Sequence, residues 1–356
     1  MGTAERAALR AIARTSPRTR QSDRRSRFSN SCSRQALIFG IFSVNSLALR
    51  AGRKALVYAK QAGNAEAEAI AKGHVGCAHY FGGRLRESER LLREAVAVLD
   101  RRGDSWERMY FYHNLRHLYS IVGDAGREIE SARVEMQIGE AVNDPEGTCW
   151  GAYGIANALA RSGRHDEAHQ YMQRALGILS GRTNIVVAPT ALQTYGFVHL
   201  QSGDYEAARE VLEDSCKNIL HDWAFIEYTV RAYPLLVESL LGPRWHDPST
   251  QPDEKTIQRS WKMSRQARFW AWRSSNYMSH ALRVRGRAAW AIGKRKKAAE
   301  CFSRAIKVGE NRGARFDIAR ACIDLSKLDV DGRGDYERRG RELLDEIGAV
   351  LPACED

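Results

Sequence analysis

An all-helical superhelical solenoid of about seven stacked helix pairs is the fold that this 356-residue sequence predicts, on three observations. Turn-like glycines recur at Gly83, Gly123, Gly163 and Gly203, with a further one at Gly293, and a repeat of that length signals stacked structural units. Around each glycine an apolar-periodic stretch of about 12 to 16 residues precedes it and a second follows, the pattern of two helices joined by a tight turn. Beyond each turn, small, large and small residues share one helical face: Ser88, Leu92 and Ala95; Ala168, Met172 and Ala175; Ala208, Leu212 and Ser215; Ala298, Phe302 and Ala305.

Residues 1 to 34 hold nine arginines against Glu5 and Asp23, so this stretch carries +7 of the formal +12 and the remaining chain only +5. Such an Arg- and Ser-rich leader resembles an organelle transit peptide, a misplaced translation start or a disordered basic arm, and the arm is the expectation. The solenoid is then expected over 35 to 356. The run "ALIFGIF" at 36 to 42 is interrupted by Ser43, Asn45 and Arg50, far short of the ~20 residues of a membrane span, and reads as the buried face of the first helix. Residues 35–49 and 52–62 form the expected opening pair.

The unit turning at Gly203 carries the clearest signal, "QSGDYEAAREVLEDS". Its glycine ends one helix and Asp204 is placed to cap the next. Three units hold a second glycine seven residues earlier, pairing Gly76 with Gly83, Gly196 with Gly203 and Gly286 with Gly293. Glycine inside a helix costs up to ~1 kcal/mol relative to alanine, so its recurrence implies close backbone approach, with the small residue of the second helix (Ala208 across from Gly196) opposite it. The unit at Gly123 departs from the pattern, with Arg116 and Glu128 where small residues are expected. A further pair is expected from "AFIEYTVRAYPLLVESLLG" and "KTIQRSWKMSRQARFWAWR", separated by a three-proline loop at 243–254. "GARFDIARACIDLSKL" and "YERRGRELLDEIGAV" supply the last pair, the second charged enough to cap the stack.

These residues resemble the tetratricopeptide repeat family, in which a small residue precedes a Gly-Asp-Tyr turn and alanine, a large apolar residue and alanine follow. Gly196, Gly203, Asp204, Tyr205, Ala208 and Leu212 match closely, as do Gly286, Gly293, Ala298, Phe302 and Ala305. No unit ends in the family's usual proline, and the spacing between turn glycines exceeds the family's period of about 34 residues. Over roughly 45 to 330 the longer period resembles the C-terminal arrays of bacterial kinase- or cyclase-linked ATPase signalling proteins.

Chemistry-bearing motifs are few. His113 with His117, and His165 with His169, have metal-sharing spacing, but Asn114 stands where a zincin places its glutamate and no third ligand is identifiable. "AIGKRKKA" has Arg295 where a phosphate loop needs Ser or Thr. No nucleophile elbow or kinase signature occurs, so no catalytic residue, metal or cofactor is expected. The seven cysteines form no C-x-x-C pair, which points to a reducing, cytoplasmic setting.

The family resemblance implies a concave groove lined by the first helix of each pair. Carried onto this chain, the inward positions are Tyr110, His113, His117, Trp150, Tyr153, Asn157, Gln193, Phe197, His280, Arg283, Arg287 and Trp290. That mixture suits a peptide or protein segment, acidic or carboxylate-bearing. The expected function is a non-catalytic interaction scaffold or regulatory module; the alternative is the detached regulatory end of a kinase- or cyclase-linked ATPase, checked by inspecting neighbouring reading frames. No membrane partner is expected, and nucleic acid only through the 1–34 arm. Replacing Arg283 and Arg287 together by alanine is expected to weaken binding with little loss of thermal stability.

Overall fold

The computed structural model describes residues 17–42, 44–103, 105–180, 187–218, 226–328 and 332–352. The described residues form helices and connecting turns: α1 Pro17–Ile41, α2 Asn45–Ala62, α3 Ala65–Phe81, α4 Leu85–Leu99, α5 Trp106–Val122, α6 Ala125–Ala141, α7 Pro145–Arg161 and α8 His165–Leu179. They continue with α9 Val187–Gln201, α10 Tyr205–Asn218, the single turn α11 Ile226–Thr229, α12 Ala232–Leu241, α13 Glu254–Arg273, α14 Met278–Ala291, α15 Arg295–Arg312, α16 Arg315–Ser326 and α17 Arg333–Ile347. Among the described residues, consecutive helices pack as eight antiparallel pairs, against the seven or so expected. The fold is a tetratricopeptide-like α-α superhelix.

The turn glycines do what their spacing predicts. Gly83, Gly123, Gly163, Gly203 and Gly293 all adopt φ between 69° and 84°, the left-handed conformation that ends a helix at low cost only for glycine. The Asp204 carboxylate accepts from the Ala207 amide at 3.0 Å, and Asp124 and Asp144 cap α6 and α7 in the same way.

Two expectations change. The basic arm expected over 1–34 is helical from Pro17, and its 17–34 part belongs to α1; Ser29, Cys32 and Ser33 are buried, and Ser29 Oγ donates to the Ala55 carbonyl at 2.9 Å. Small residues at that spacing let α1 lie against α2, while residues 1–16 lie outside the described residues. The second change concerns the helical glycines. Ser88, Ala168, Ala208 and Ala298 are fully buried, yet the side chain across from each glycine is the large one a turn later. A methyl group at Gly286 would lie 2.5 Å from the Phe302 ring, one at Gly76 would lie 2.9 Å from Leu92, and one at Gly196 would collide with Leu212. The glycine opens a notch that a large residue fills, which is tighter packing than two small residues achieve.

From α3 onward the first helices form an inner layer buried on nearly every side, and the second helices an outer layer with one apolar stripe and one charged face. The superhelix also closes on itself. Arg312 reaches the Gly82 carbonyl at 3.4 Å, Arg315 the Val122 carbonyl at 2.9 Å, and the Val350 amide donates to the Arg161 carbonyl at 2.9 Å. Turns of the second, third and fourth pairs thus receive the last two pairs and the segment after α17, and Asn276 adds a bond to the Tyr80 carbonyl.

Candidate functional site

The residues expected to line an open groove lie in the interior of the fold, packed among its own side chains. Tyr110, His113, His117, Tyr153, Asn157, Gln193, Phe197, His280, Arg283 and Arg287 are all buried, and Trp150 and Trp290 are half-buried. Each is engaged by its own chain. Tyr110 meets the Tyr228 hydroxyl at 3.1 Å, Gln193 donates to the Tyr228 carbonyl at 2.9 Å, and the Trp290 indole donates to the His246 carbonyl at 3.0 Å. Trp150 lies against the His113 ring at 4.6 Å between centroids.

Two polar clusters occupy the interior. In the first, Glu135 of α6 accepts from Arg116 at 2.9 Å and meets His113 Nδ1 at 2.6 Å, while Arg116 lies over the Tyr153 ring. Glu128, one helical face along, takes Arg161 and, at 2.7 Å, the Asn157 amide. Gly154 leaves the space that the Arg116 stem fills. Arg116 and Glu128, the two departures from the repeat pattern, are therefore a buried charge lattice tying α5, α6 and α7 together.

The second cluster joins α12, α14 and α16. Glu238 accepts from Arg283, Arg320 and His280, and Asp324 takes Arg283 at 3.0 Å and Arg287 at 2.7 Å. Burial by itself pushes Glu238 up, but Arg283, Arg320 and His280 outweigh it and hold the carboxyl well below the ordinary range. Asp324 follows the same balance and falls to about 2. Burial lowers His113 and His280, and His117 further, so these rings are neutral near pH 7. The expectation that Arg283 and Arg287 await a partner without a structural role is overturned: both are fully enclosed and paired with carboxylates of this chain.

Between the clusters the inner space narrows to a cavity of about 40 Å³ bordered by Arg161, Arg231, Asn276, His280, Asp317 and Arg320. Arg231 stands apart from the other inner arginines. Its guanidinium donates to Asn157 Oδ1 at 2.6 Å and lies 4.1 Å from the Phe197 ring centre, and no carboxylate among the described residues forms an ion pair with it. Burial lowers its pKa.

Sequence reasoning missed Glu135, Glu238, Asp324, Arg320 and Arg231. Glu238 had a signal, a lone carboxylate in the apolar run "LLVESLL"; Arg320 and Asp324 sit four apart on α16. Arg231 had none. His113 Nδ1 meets Glu135 and Arg116, and His117 Nε2 meets Arg116. His165 and His169 lie on the outer layer, where His169 meets the His199 ring edge to face at 4.9 Å between centroids. Among the described residues no group of three His, Cys, Asp or Glu is arranged to hold a metal, and no helix is long and apolar enough to cross a membrane. The described cysteines are free thiols.

No family model matches the chain, and no curated protein matches it. Solved structures do. A Rap protein complexed with competence and sporulation factor is similar at TM-score 0.65 and 12% identity, over 90% of this chain and 99% of that one. The Rap conjugation gene regulator of the plasmid pLS20, in complex with a Phr peptide, is similar at TM-score 0.64 and 11% identity, over 86% and 85%. A tetratricopeptide repeat protein from Parabacteroides merdae matches at TM-score 0.45 and 11% identity, over 88% and 99%. At such identities the first two establish a shared fold.

Proposed function

We propose that this chain is a non-catalytic, cytoplasmic interaction module that binds an extended peptide or protein segment on the inner face of its superhelix, with a carboxylate of that segment at Arg231. The observation that carries this reading is the pairing pattern of the inner arginines. Arg116, Arg161, Arg283, Arg287 and Arg320 are each matched by a glutamate or aspartate of the chain, while Arg231 is held by an amide and an aromatic face. A guanidinium so placed keeps donors for an incoming carboxylate, and Asn157 and Asn276 flank it with further polar groups. Two proteins of the same fold were solved with a peptide or factor bound, which supports the same class of ligand here.

A cavity of about 40 Å³ admits no peptide, so binding requires the superhelix to open along its seam. The hydrogen bonds there come from Arg312, Arg315, Asn276 and Val350, and Phe316, Ile347, Ala349 and Leu351 add apolar packing against the central core, so opening exposes part of that core.

Selection of short peptides from a displayed library on the immobilised protein tests the reading. Peptides that bind with a free carboxylate should lose about tenfold or more in affinity on Arg231→Gln, with an unchanged melting curve. Equal binding to Arg231→Gln and wild type, or selected peptides free of any carboxylate, would remove Arg231 from the site.

A further inference from the structure

The outer face of the sixth and seventh pairs has a character unlike the rest of the surface. Between residues 254 and 312 the chain has sixteen lysines and arginines against Glu254, Glu300 and Glu310, a local formal charge of +13 where the whole chain carries +12. The leader carries +7, so this stretch is the more basic of the two, and acidic residues elsewhere offset both. Arg283 and Arg287 are consumed inside, but most of the others point outward.

On α13 the buried stripe is Ile257, Ser260, Ser264, Ala267 and Ala271, and the opposite stripe reads Lys262, Arg265, Phe269 and Trp272 at helical spacing, all exposed. Phe269 is 60% and Trp272 72% exposed, the two most exposed large apolar residues described. Behind them stands Arg285 of α14, its guanidinium 3.1 Å from the Trp261 ring centre and donating to Ser264 Oγ at 3.0 Å. Burial first, then the positive charges of Arg268 and Arg265, push Arg285 down to about 10. No carboxylate relieves this crowding: none of the described ion pairs involves Lys262, Arg265, Arg268 or Arg285. Lys296, Arg304 and Lys307 extend the exposed positive charge onto α15.

We infer that this face docks the protein peripherally on an anionic lipid surface, with Lys262, Arg265 and Arg268 at the headgroups and Phe269 and Trp272 entering the interface. Three features favour lipid over an acidic protein or a nucleic acid. The face is the outward ridge of an outer-layer helix, convex where a peptide or strand is gripped by a cleft. On α13 its exposed charges beyond Glu254 are of one sign, and on α15 Glu300 alone stands among Lys296, Arg304 and Lys307, without the alternation that registers a protein partner. Its exposed aromatics share a stripe with the basic residues, the arrangement of helices that lie in a membrane interface. Docking in this manner needs no spanning helix and leaves the inner face at Arg231 free.

Co-sedimentation of the full chain with phosphatidylcholine vesicles, with and without phosphatidylserine, tests the inference. Pelleting is expected only with phosphatidylserine present and should weaken as salt rises. Lys262→Glu with Arg265→Glu should lower the partition coefficient about tenfold or more, and Phe269→Ser with Trp272→Ser about tenfold at unchanged charge. Every substituted side chain is exposed, so unchanged melting curves accompany both variants. The inference fails if the wild type does not pellet with anionic vesicles, if both variants pellet like wild type, or if polyuridylate RNA or polyglutamate binds in place of the vesicles. Each of these readings is independent of peptide binding at Arg231.

Discussion

Arg283 and Arg265 lie on adjacent helices of the superhelix, and their surroundings differ as much as any two sites in the molecule. Arg283, on the inner layer, touches Glu238 and Asp324 and sees no solvent; Arg265, on the outer layer, faces water among other cations. A fully enclosed cation is costly unless carboxylates compensate its desolvation, and Glu238 and Asp324 do so for Arg283. An exposed one is solvated whatever its neighbours, so the outer layer can accumulate positive charge and present it to a partner. The same residue type is thus framework inside and contact surface outside, with Arg231 between the two regimes.

Breaking the inner side should have the largest effect. Arg283→Ala with Arg287→Ala strips Asp324 of both cations and Glu238 of one, and denaturant unfolding should show a loss of about 3–5 kcal/mol or more. A loss under about 1 kcal/mol would mean that the clusters are solvated and replaceable.

Glu227 sharpens the comparison, because it is an inner carboxylate held by neutral groups, the Ser274 hydroxyl and the Asn276 amide. Burial pushes it up to about 7 from 4.5. A folded-state pKa above the unfolded one means that the folded chain holds the extra proton, so this group's contribution is full below pH 4.5 and is lost as pH rises to about 7, by up to about 3 kcal/mol. His113 and His280, lowered by burial, act with the opposite sign. Subtracting wild type from Glu227→Gln isolates the first term: the variant should gain stability relative to wild type from pH 5 to 7.5, as read by urea titration at about those pH values. A difference that stays flat across that range would place Glu227 in contact with water.

Gly286→Ala tests the helix-to-helix notch, where a methyl group 2.5 Å from the Phe302 ring should cost about 1–2 kcal/mol despite alanine's better helix propensity. A stabilised variant would show that Phe302 can turn aside. The smallest effect belongs to the outer side. Arg265→Ala with Arg268→Ala should alter unfolding by less than about 0.5 kcal/mol, because both side chains are exposed and neither forms an ion pair among the described residues.

Much of this was legible in the sequence. Gly203, Asp204 and Leu212 marked turn, cap and core directly, since local backbone preference and helical spacing act over a few residues. That Tyr110 and His113, Tyr153 and Asn157, and Gln193 and Phe197 share helix faces was legible for the same reason. What it could not reveal was the destination of those side chains. Asp324 and Arg287 are 37 positions apart, Glu238 and Arg320 82, and Asn276 and Tyr80 196, and nothing in local spacing couples residues so distant. Arg116 and Glu128 show the boundary well: as misfits to a repeat they looked like local weakness, and only their partners Glu135 and Arg161 make them a lattice.

The sequence by itself determined a stack of helix pairs, their turns and their faces, because periodicity, glycine at positive φ and caps are short-range physics. Tertiary structure alone decided that the superhelix closes, that its inner charges neutralise one another, and that uncompensated positive charge remains on the outer ridge of α13. Charge compensation and burial depend on which distant residues meet, and that is settled only when the whole chain has packed.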